Sequence, residues 1–439
     1  MGRRLALVVI GIVAVLAVAC FVTIWHPVLE PIAPPPSSSF DKKLVARGEV
    51  LARVGDCLTC HTAPGGEAFA GGRALATPFG AIYGTNITPD PETGIGAWSE
   101  AAFRRAMRDG IDRGGRDLYP VFPYEHFAKL TDDDIAALYA YMMTREPVRR
   151  ATPANQLPFP YDVRPLLAGW KLLFLDRRPV ARDAGRSDEW NRGAYLTEAL
   201  AHCGACHTPR NRFGAEEAAD HHFAGGEAEG WWAPPLDASS PAPMPWSERT
   251  MAAYLRSWEP LHGGAAGPMA EVVTNLAHGV PDAEIQAIAT YAASFMPPES
   301  PDRKERAEAI VARGDPPGAQ QQQQQQQANG DHAAGGAVYA GACSVCHESG
   351  GAVPYTVRSL AQHTVIVAPD PRNLLHVVLD GVHPPEGAAG PIMPSFRDML
   401  TEPQVVDLVA YLRARFSDAP PWTDTPAIVH RLYSARSAS

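Results

Sequence analysis

Apolar positions follow two kinds of pattern along this chain. One is an unbroken apolar run from Leu5 to Trp25, preceded by Arg3 and Arg4 and long enough to cross a bilayer as a helix. The other is helical and occurs three times, with apolar residues returning every three or four positions. It appears in "LTDDDIAALYAYMM" (130–143), "VPDAEIQAIATYAASF" (280–295) and "LTEPQVVDLVAYLRARF" (400–416). Ile135, Leu138 and Met142 fall on one face of the first, and Val405, Leu408 and Leu412 on one face of the last. Thr131 with Asp134 makes an N-terminal capping pair, and Thr401 with Gln404 a full capping box.

Between these segments the pattern breaks into linkers. "PIAPPPSSS" (31–39) reads as a semi-extended spacer. In "TPANQLPFPYDVRPLLAGWKLLFLDRRP" the apolar part, Leu166 to Leu175, is too short to span a membrane and is predicted to pack between domains. Gln320 to Gln327 lie in a polar, Gly-rich run that reads as a disordered tether. The first run is read as an N-terminal membrane anchor over 1–27, its arginines in the cytoplasm and the rest of the chain beyond the bacterial inner membrane, in the periplasm. The alternatives are a signal peptide cleaved after Ala17-Val18-Ala19 and lipidation of Cys20; all three export the chain.

Charge narrows the partners. With 38 basic against 48 acidic residues the formal net charge is -10, which argues against nucleic-acid binding and leaves no basic surface for anionic lipid. Of the seven cysteines, Cys20 lies in the apolar run and six form three identical patterns. These are Cys57-Leu-Thr-Cys60-His61, Cys203-Gly-Ala-Cys206-His207 and Cys343-Ser-Val-Cys346-His347. C-x-x-C-H is the attachment sequence of c-type haem. Two thiols one helical turn apart form thioethers to the porphyrin vinyls, and the adjacent histidine reaches the iron. Zinc pairs or redox-active C-x-x-C sites are the competing readings. Three such motifs in an exported chain with almost no other cysteine point to three covalently bound haems c.

The motifs start 146 and 140 residues apart, and each is followed by one of the apolar helices. A motif helix, a long ligand loop and a closing helix make one haem domain, so the expected fold is all-α. It has three tandem cytochrome c-type domains (41–146, 187–297 and 332–417) behind an N-terminal transmembrane helix, with a Gln-rich linker at 298–331. A methionine in the ligand loop would complete the iron and raise its potential. "GPIMPSF" supplies Met393, with Met399 as its rival, and "AAGPMAEVV" supplies Met269, with Met244 as runner-up. The corresponding stretch of the first domain, "LYPVFPYEHF", has Phe122 at the methionine's place. Either His126 gives bis-His ligation there, or the iron is five-coordinate behind Phe122. Met107, Met142 and Met143 sit in helical surroundings and read as core.

Together with "YGTNITPDPETGIGAWSE", "CGACHTPRN" and "FAGGEAEGWWAPPL", these motifs resemble the membrane-bound triheme cytochrome c subunits of bacterial periplasmic dehydrogenases, from Lys43 to Phe416. The resemblance implies an electron-transfer subunit that does not itself oxidise substrate. It would take electrons from a catalytic dehydrogenase subunit and pass them to ubiquinone or a terminal oxidase. Alcohol and gluconate dehydrogenase members resemble Tyr-Pro-x-Met-Pro-Tyr where this chain has Tyr119 to Tyr124. A phenylalanine followed by "HF" is more similar to members beside molybdenum hydroxylases for aldehydes or N-heterocycles. A multihaem peroxidase and an oxidase-associated cytochrome are the alternatives. Trp231 and Trp232 are expected to pack on the second haem, and His221-His222 to lie in an exposed loop.

Overall fold

The computed structural model describes residues 24–217, 219–259, 261–298, 300–314, 332–348, 360–384 and 392–436, with residues 5, 7, 8 and 330 besides. They gather into two compact units. The first comprises Met1–Asp183, Tyr195–Ala205 and Arg210–Glu216, the second Ala184–Ala194, Cys206–Pro209 and Glu217–Ser439.

In the first unit, α1 (Lys42–Val54) starts at Asp41, whose carboxylate accepts from the Lys43 and Leu44 amides. The motif turn α2 (Cys57–Cys60) follows, then an antiparallel hairpin of β1 (Ala74–Thr77) and β2 (Gly80–Tyr83). Helix α3 (Glu100–Asp109) is capped by Ser99 and stopped by Gly110 in the left-handed region. The turn α4 (Tyr124–Phe127) precedes α5 (Asp132–Met143), where Thr131 accepts from the Asp134 amide as its sequence predicts. Ile135, Leu138 and Met142 are all buried, and α6 (Leu166–Phe174) ends the unit's helices before residue 183.

Helix α7 (Asp188–Tyr195) and the motif turn α8 (Gly204–His207) open the second repeat, followed by the hairpin of β3 (Gly226–Ala228) and β4 (Trp231–Ala233). In the second unit come α9 (Glu248–Arg256), α10 (Pro268–Ala277), α11 (Asp282–Ala293) and α12 (Pro301–Gly314). The third repeat has α13 (Ala333–Ala342), the motif turn α14 (Ser344–His347), α15 (Arg372–Asp380), α16 (Glu402–Phe416) and α17 (Thr425–Arg436). Tyr339, Leu375, Val378, Val405, Leu408, Val409 and Leu412 form its core. At the start of α16 the Gln404 side chain accepts from the Thr401 amide at 2.9 Å, the sequence-predicted box.

One helix crossing recurs three times, and glycine permits it each time. A Cβ on Gly48 would lie 2.0 Å from the Ala137 carbonyl oxygen and 2.7 Å from Tyr141 Cβ. For Gly193 the same partners are Ala287, at 1.9 Å, and Tyr291; for Gly335 they are Asp407, at 2.0 Å, and Tyr411. Each opening helix thus meets its closing helix backbone to backbone, with a tyrosine one turn further along.

The structure corrects two expectations. Among the described residues no helix is long and apolar enough to cross a membrane, so the N-terminal transmembrane helix and the inner-membrane location drawn from it are not supported. The apolar α6 has 9 residues, about 14 Å of helix against the roughly 30 Å of a bilayer core. The longer α16 carries Arg413 and Arg415. Most of the Leu5–Trp25 run lies outside the described residues, while the chain just beyond it is tied to the first unit. The Leu29 amide donates to the Arg113 carbonyl and the Ile32 amide to that of Ala97. Leu166, Leu172 and Leu173 of α6 are exposed, but the helix does pack between the expected domains: Trp170 Nε1 donates to the Phe213 carbonyl, in the 187–297 stretch, and its ring centroid lies 6.0 Å from that of Tyr124, in the 41–146 stretch. Secondly, part of the stretch read as a tether is the helix α12; Gln320 to Gln327 lie outside the described residues.

Candidate haem-binding sites

The first two motifs are built on one loop scaffold. The residue before each first cysteine, Asp56 or His202, is left-handed, with φ of 51° and 42°. After each motif histidine comes a threonine: Thr62 Oγ1 accepts from the Phe69 amide, and Thr208 Oγ1 from the Phe223 amide, both at 3.1 Å. Phe69 and Phe223 are left-handed in turn, and each heads the sequence Phe-Ala-Gly-Gly. The third residue of that sequence donates back to the motif histidine's carbonyl, Gly71 to His61 at 2.7 Å and Gly225 to His207 at 2.8 Å. A Cβ on Gly84 would collide with the Cys60 carbonyl and one on Gly226 with that of Cys206, so both hairpins lie directly on their motif turns.

This scaffold fixes the histidine rings. His61 Nδ1 lies 2.6 Å from the Thr85 carbonyl oxygen and His207 Nδ1 2.7 Å from that of Pro234. Carbonyl oxygen only accepts, so Nδ1 carries the hydrogen and Nε2 keeps its lone pair, the tautomer an iron takes. Enclosure by protein atoms lowers the affinity of both rings for a second proton, partly offset by those carbonyls, although an edge of each stays open to solvent. The six motif cysteines are half-buried. Neutral histidines with a lone pair available, beside paired thiols at an accessible edge, fit a covalently held haem. These carbonyl partners were not foreseen from the sequence; they follow the hairpins that the repeated Phe-Ala-Gly-Gly leads into.

The third motif departs from this pattern. Glu348 replaces the threonine and accepts from Arg415 at 2.8 Å. His347 Nδ1 is buried without a hydrogen-bond partner among the described residues, and 349–359, the stretch after it, lie outside them. Burial lowers its affinity for a second proton too.

The expected sixth-ligand methionines occupy distinct settings. Met269 is not in a loop: it is the second residue of α10, half-buried, just after Gly267, which is left-handed and pressed against the Trp231 ring. Its rival Met244 is buried. Met393 is half-buried against the third core, its backbone paired with Val382 in both directions, whereas Met399 is 61 % exposed. Trp231 stacks on His376 with ring centroids 4.6 Å apart, and the Trp232 amide donates to Asn373, contacts that tie the second hairpin to α15. His221 is exposed, as expected, at the end of a 3-10 turn, whereas His222 is half-buried with its ring centroid 3.9 Å from that of Phe223.

In the first unit His126 is buried and both its ring nitrogens are engaged. Nδ1 meets the Glu198 carbonyl at 2.7 Å and Nε2 meets Glu216 Oε1 at 2.6 Å. A ring held this way cannot reach an iron without giving up both bonds, so bis-His ligation through His126 is not the arrangement here. Met107, Met142 and Met143 are core, as expected.

Around His126 two carboxylates titrate in opposite directions. Burial, the Glu216 charge beside it and only partial relief from Arg210 raise Glu125 to about 7. Glu216 resists its own burial because His126 and Arg210 hold it down, to about 2. The signs follow from linkage. Glu216 contributes stability above the unfolded carboxyl pKa near 4.5 and loses it as pH falls towards 2. Glu125 folds best protonated, so its contribution is whole below 4.5 and lost as pH rises through 7. Glu125→Gln should therefore leave stability unchanged at pH 4 and raise it by about 3 kcal/mol at pH 8. Thermal melts of both proteins at the two pH values check this; an equal gain at both would refute the assignment.

Residues 45–146 match the cytochrome c family, and 330–412 match the family described as cytochrome C oxidase, cbb3-type, subunit III. The chain is 45% identical over 402 residues to a nicotinate dehydrogenase subunit of Pseudomonas putida, covering 91% of this chain and 32% of that one. It thus spans about a third of that relative's length. It is 34% identical over 418 residues to the fructose dehydrogenase cytochrome subunit of Gluconobacter japonicus, covering 91% of this chain and 84% of that one. With the gluconate 2-dehydrogenase cytochrome c subunit of Pantoea cypripedii it shares 36% over 397 residues, covering 87% and 88% respectively.

Proposed function

This chain belongs to the cytochrome c subunits of dehydrogenases, and on that premise we propose that it receives electrons from a separate catalytic dehydrogenase subunit and relays them over three covalently bound haems c to ubiquinone or a terminal oxidase. The observation that carries the reading is the pair of motif histidines, each set by a backbone carbonyl in the tautomer that leaves Nε2 for iron. When bound, each haem supplies a one-electron couple; everything else is the protein's work. Cys57 and Cys60, Cys203 and Cys206, and Cys343 and Cys346 would tether the three groups. His61, His207 and His347 would each supply a nitrogen ligand to an iron. Met269 and Met393 would supply thioethers to the second and third, which would favour the ferrous state. On this reading the three haem domains span 41–146, 187–297 and 332–417.

The partner is proposed to be a dehydrogenase for an N-heterocycle. The similarity to the subunit named for nicotinate, 45%, exceeds that to the fructose and gluconate subunits, 34% and 36%. The loop with Phe122 fits the same side of the family. The match to the oxidase subunit family is confined to 330–412, whereas the dehydrogenase subunits align over about nine-tenths of the chain, which places the oxidase-associated reading second.

The test is a haem count and a reduction assay. The holoprotein should give three haems c per chain in alkaline pyridine, and Cys203→Ala with Cys206→Ala should remove one. Mixed with its catalytic subunit, it should be reduced on addition of an N-heteroaromatic acid and not of fructose or gluconate. Two haems per chain, or reduction by the sugar substrates, would overturn the corresponding part of the proposal.

A further inference from the structure

The loop at 118–127 leads to an inference that rests on the three-haem reading and goes beyond it. We propose that the first haem iron has one protein ligand, His61, and that its opposite face is a binding site for small neutral diatomic molecules such as carbon monoxide.

All of residues 62–131, from the motif to the closing helix, are described, and they contain one methionine, one further histidine and no cysteine. Met107 is 5% exposed within α3, where its burial is that of a core residue. His126 has both nitrogens committed, to the Glu198 carbonyl and to Glu216. Phe122 stands where the thioether is expected, its ring centroid 5.3 Å from that of Phe127. Phe127 in turn lies 5.8 Å from the His202 ring, and His202 Nε2 is 3.3 Å from the Gly55 carbonyl, two residues before Cys57. The aromatic layer of the loop therefore reaches the start of the first motif, and the imidazole it meets there, His202, has its Nε2 turned to the Gly55 carbonyl.

The remaining polar groups of the loop do not substitute for one. The charge of Lys129 acts on the Glu125 and Glu216 carboxylates. Arg108, from α3, donates to the Ala128 and Leu130 carbonyls and to Asp132, and Arg210 lies 3.8 Å from Glu216 and 3.9 Å from Glu125. Tyr124 is fully buried and its hydroxyl has no hydrogen-bond partner among the described residues. Burial and the nearby Glu125 and Asp117 push its phenol far up, so it stays a protonated donor and not a phenolate ligand.

An iron held by one histidine beneath apolar side chains is the arrangement in which distal polarity and access decide what binds. A layer of Phe122 and Phe127 favours a small neutral molecule over an anion, which would lose its hydration there. The carbon lone pair of CO would form a dative bond to ferrous iron. No bond breaks in the protein, and no electron changes its oxidation state.

The test uses the full holoprotein, reduced with dithionite and titrated with CO while the Soret band is followed. Its haem content is counted separately in alkaline pyridine. The wild type should form a CO adduct at about one haem in three. Phe122→Met should lower that fraction at least tenfold by supplying the missing thioether, and His126→Phe should leave it unchanged. A three-haem protein without a CO adduct would overturn the proposal. So would an adduct that appears only in His126→Phe, or one that persists undiminished in Phe122→Met. A chain with fewer than three haems would refute the underlying reading instead. The wild-type titration decides even if a variant does not fold.

Discussion

Replacing Gly48 by valine is expected to destabilise the first repeat by about 3 kcal/mol, at the upper end of ordinary overpacking. Even the first atom of the new side chain would sit 2.0 Å from the Ala137 carbonyl oxygen and 2.7 Å from Tyr141 Cβ. Both belong to the buried face of α5, so neither can swing aside as a flexible chain end would. The two helices must separate, and Leu51, Ile135 and Leu138, each now at most 2% exposed, would lose contact. In a segment of this size the loss corresponds to a fall in Tm of more than about 10 °C. Gly169, in α6, provides the contrast: a Cβ there meets nothing within 4 Å. Gly169→Ala should therefore be neutral or stabilising by up to about 1 kcal/mol, from helix propensity alone. Melts followed by circular dichroism separate the two cases. A Gly48→Val protein melting with the wild type would show that the helices do not cross as described. Because α1 leads into Cys57, the variant should also lose haem from the first motif in particular.

The second large effect is expected at Asp117. Lys171 Nζ donates to Asp117 Oδ1 and to the Gly110 carbonyl, each at 2.7 Å, with the side chains 7% and 4% exposed. Burial lowers the Lys171 pKa, and the Asp117 carboxylate only partly restores it. Asp117→Ala strands the ammonium in an apolar place, and breaking such a pair costs about 3–5 kcal/mol. Lys171→Met combined with Asp117→Leu should recover most of that, since the desolvation of both charges disappears along with their attraction. A double-mutant cycle by denaturant unfolding measures this. If the double variant is as unstable as Asp117→Ala, the pair is not the reason for the loss. The ammonium also lies 5.1 Å from the Tyr124 ring centroid, so Asp117→Ala should perturb the first haem's spectrum and Gly169→Ala should not.

What could be read from residues alone was the chemistry that depends on local spacing. Cys-x-x-Cys-His places two thiols and an imidazole on one turn whatever the rest of the chain does. The periodicity of the closing helices identified Ile135, Leu138, Val405 and Leu408 as core, and all are buried. Thr401 with Gln404 set a helix start, because capping is settled within four residues. The absence of a methionine at Phe122 was equally plain.

Other features depended on distant partners. Nothing near His126 in sequence announces Glu198 and Glu216, so a histidine that looked available for iron proved committed at both nitrogens. Sequence spacing did not show that Asp117 draws Lys171 of α6 inward while Leu172 and Leu173 stay in solvent. A hydrophobic run of membrane length was also taken as an anchor, and no helix among the described residues meets that requirement. The sequence by itself determined where two thiols and an imidazole share one turn, since that is a matter of neighbouring residues. Only the tertiary structure decided which histidines keep a nitrogen for iron and how each pair of helices meets. Those outcomes depend on backbone carbonyls and carboxylates far along the chain, whose positions are set by the packing of the whole fold.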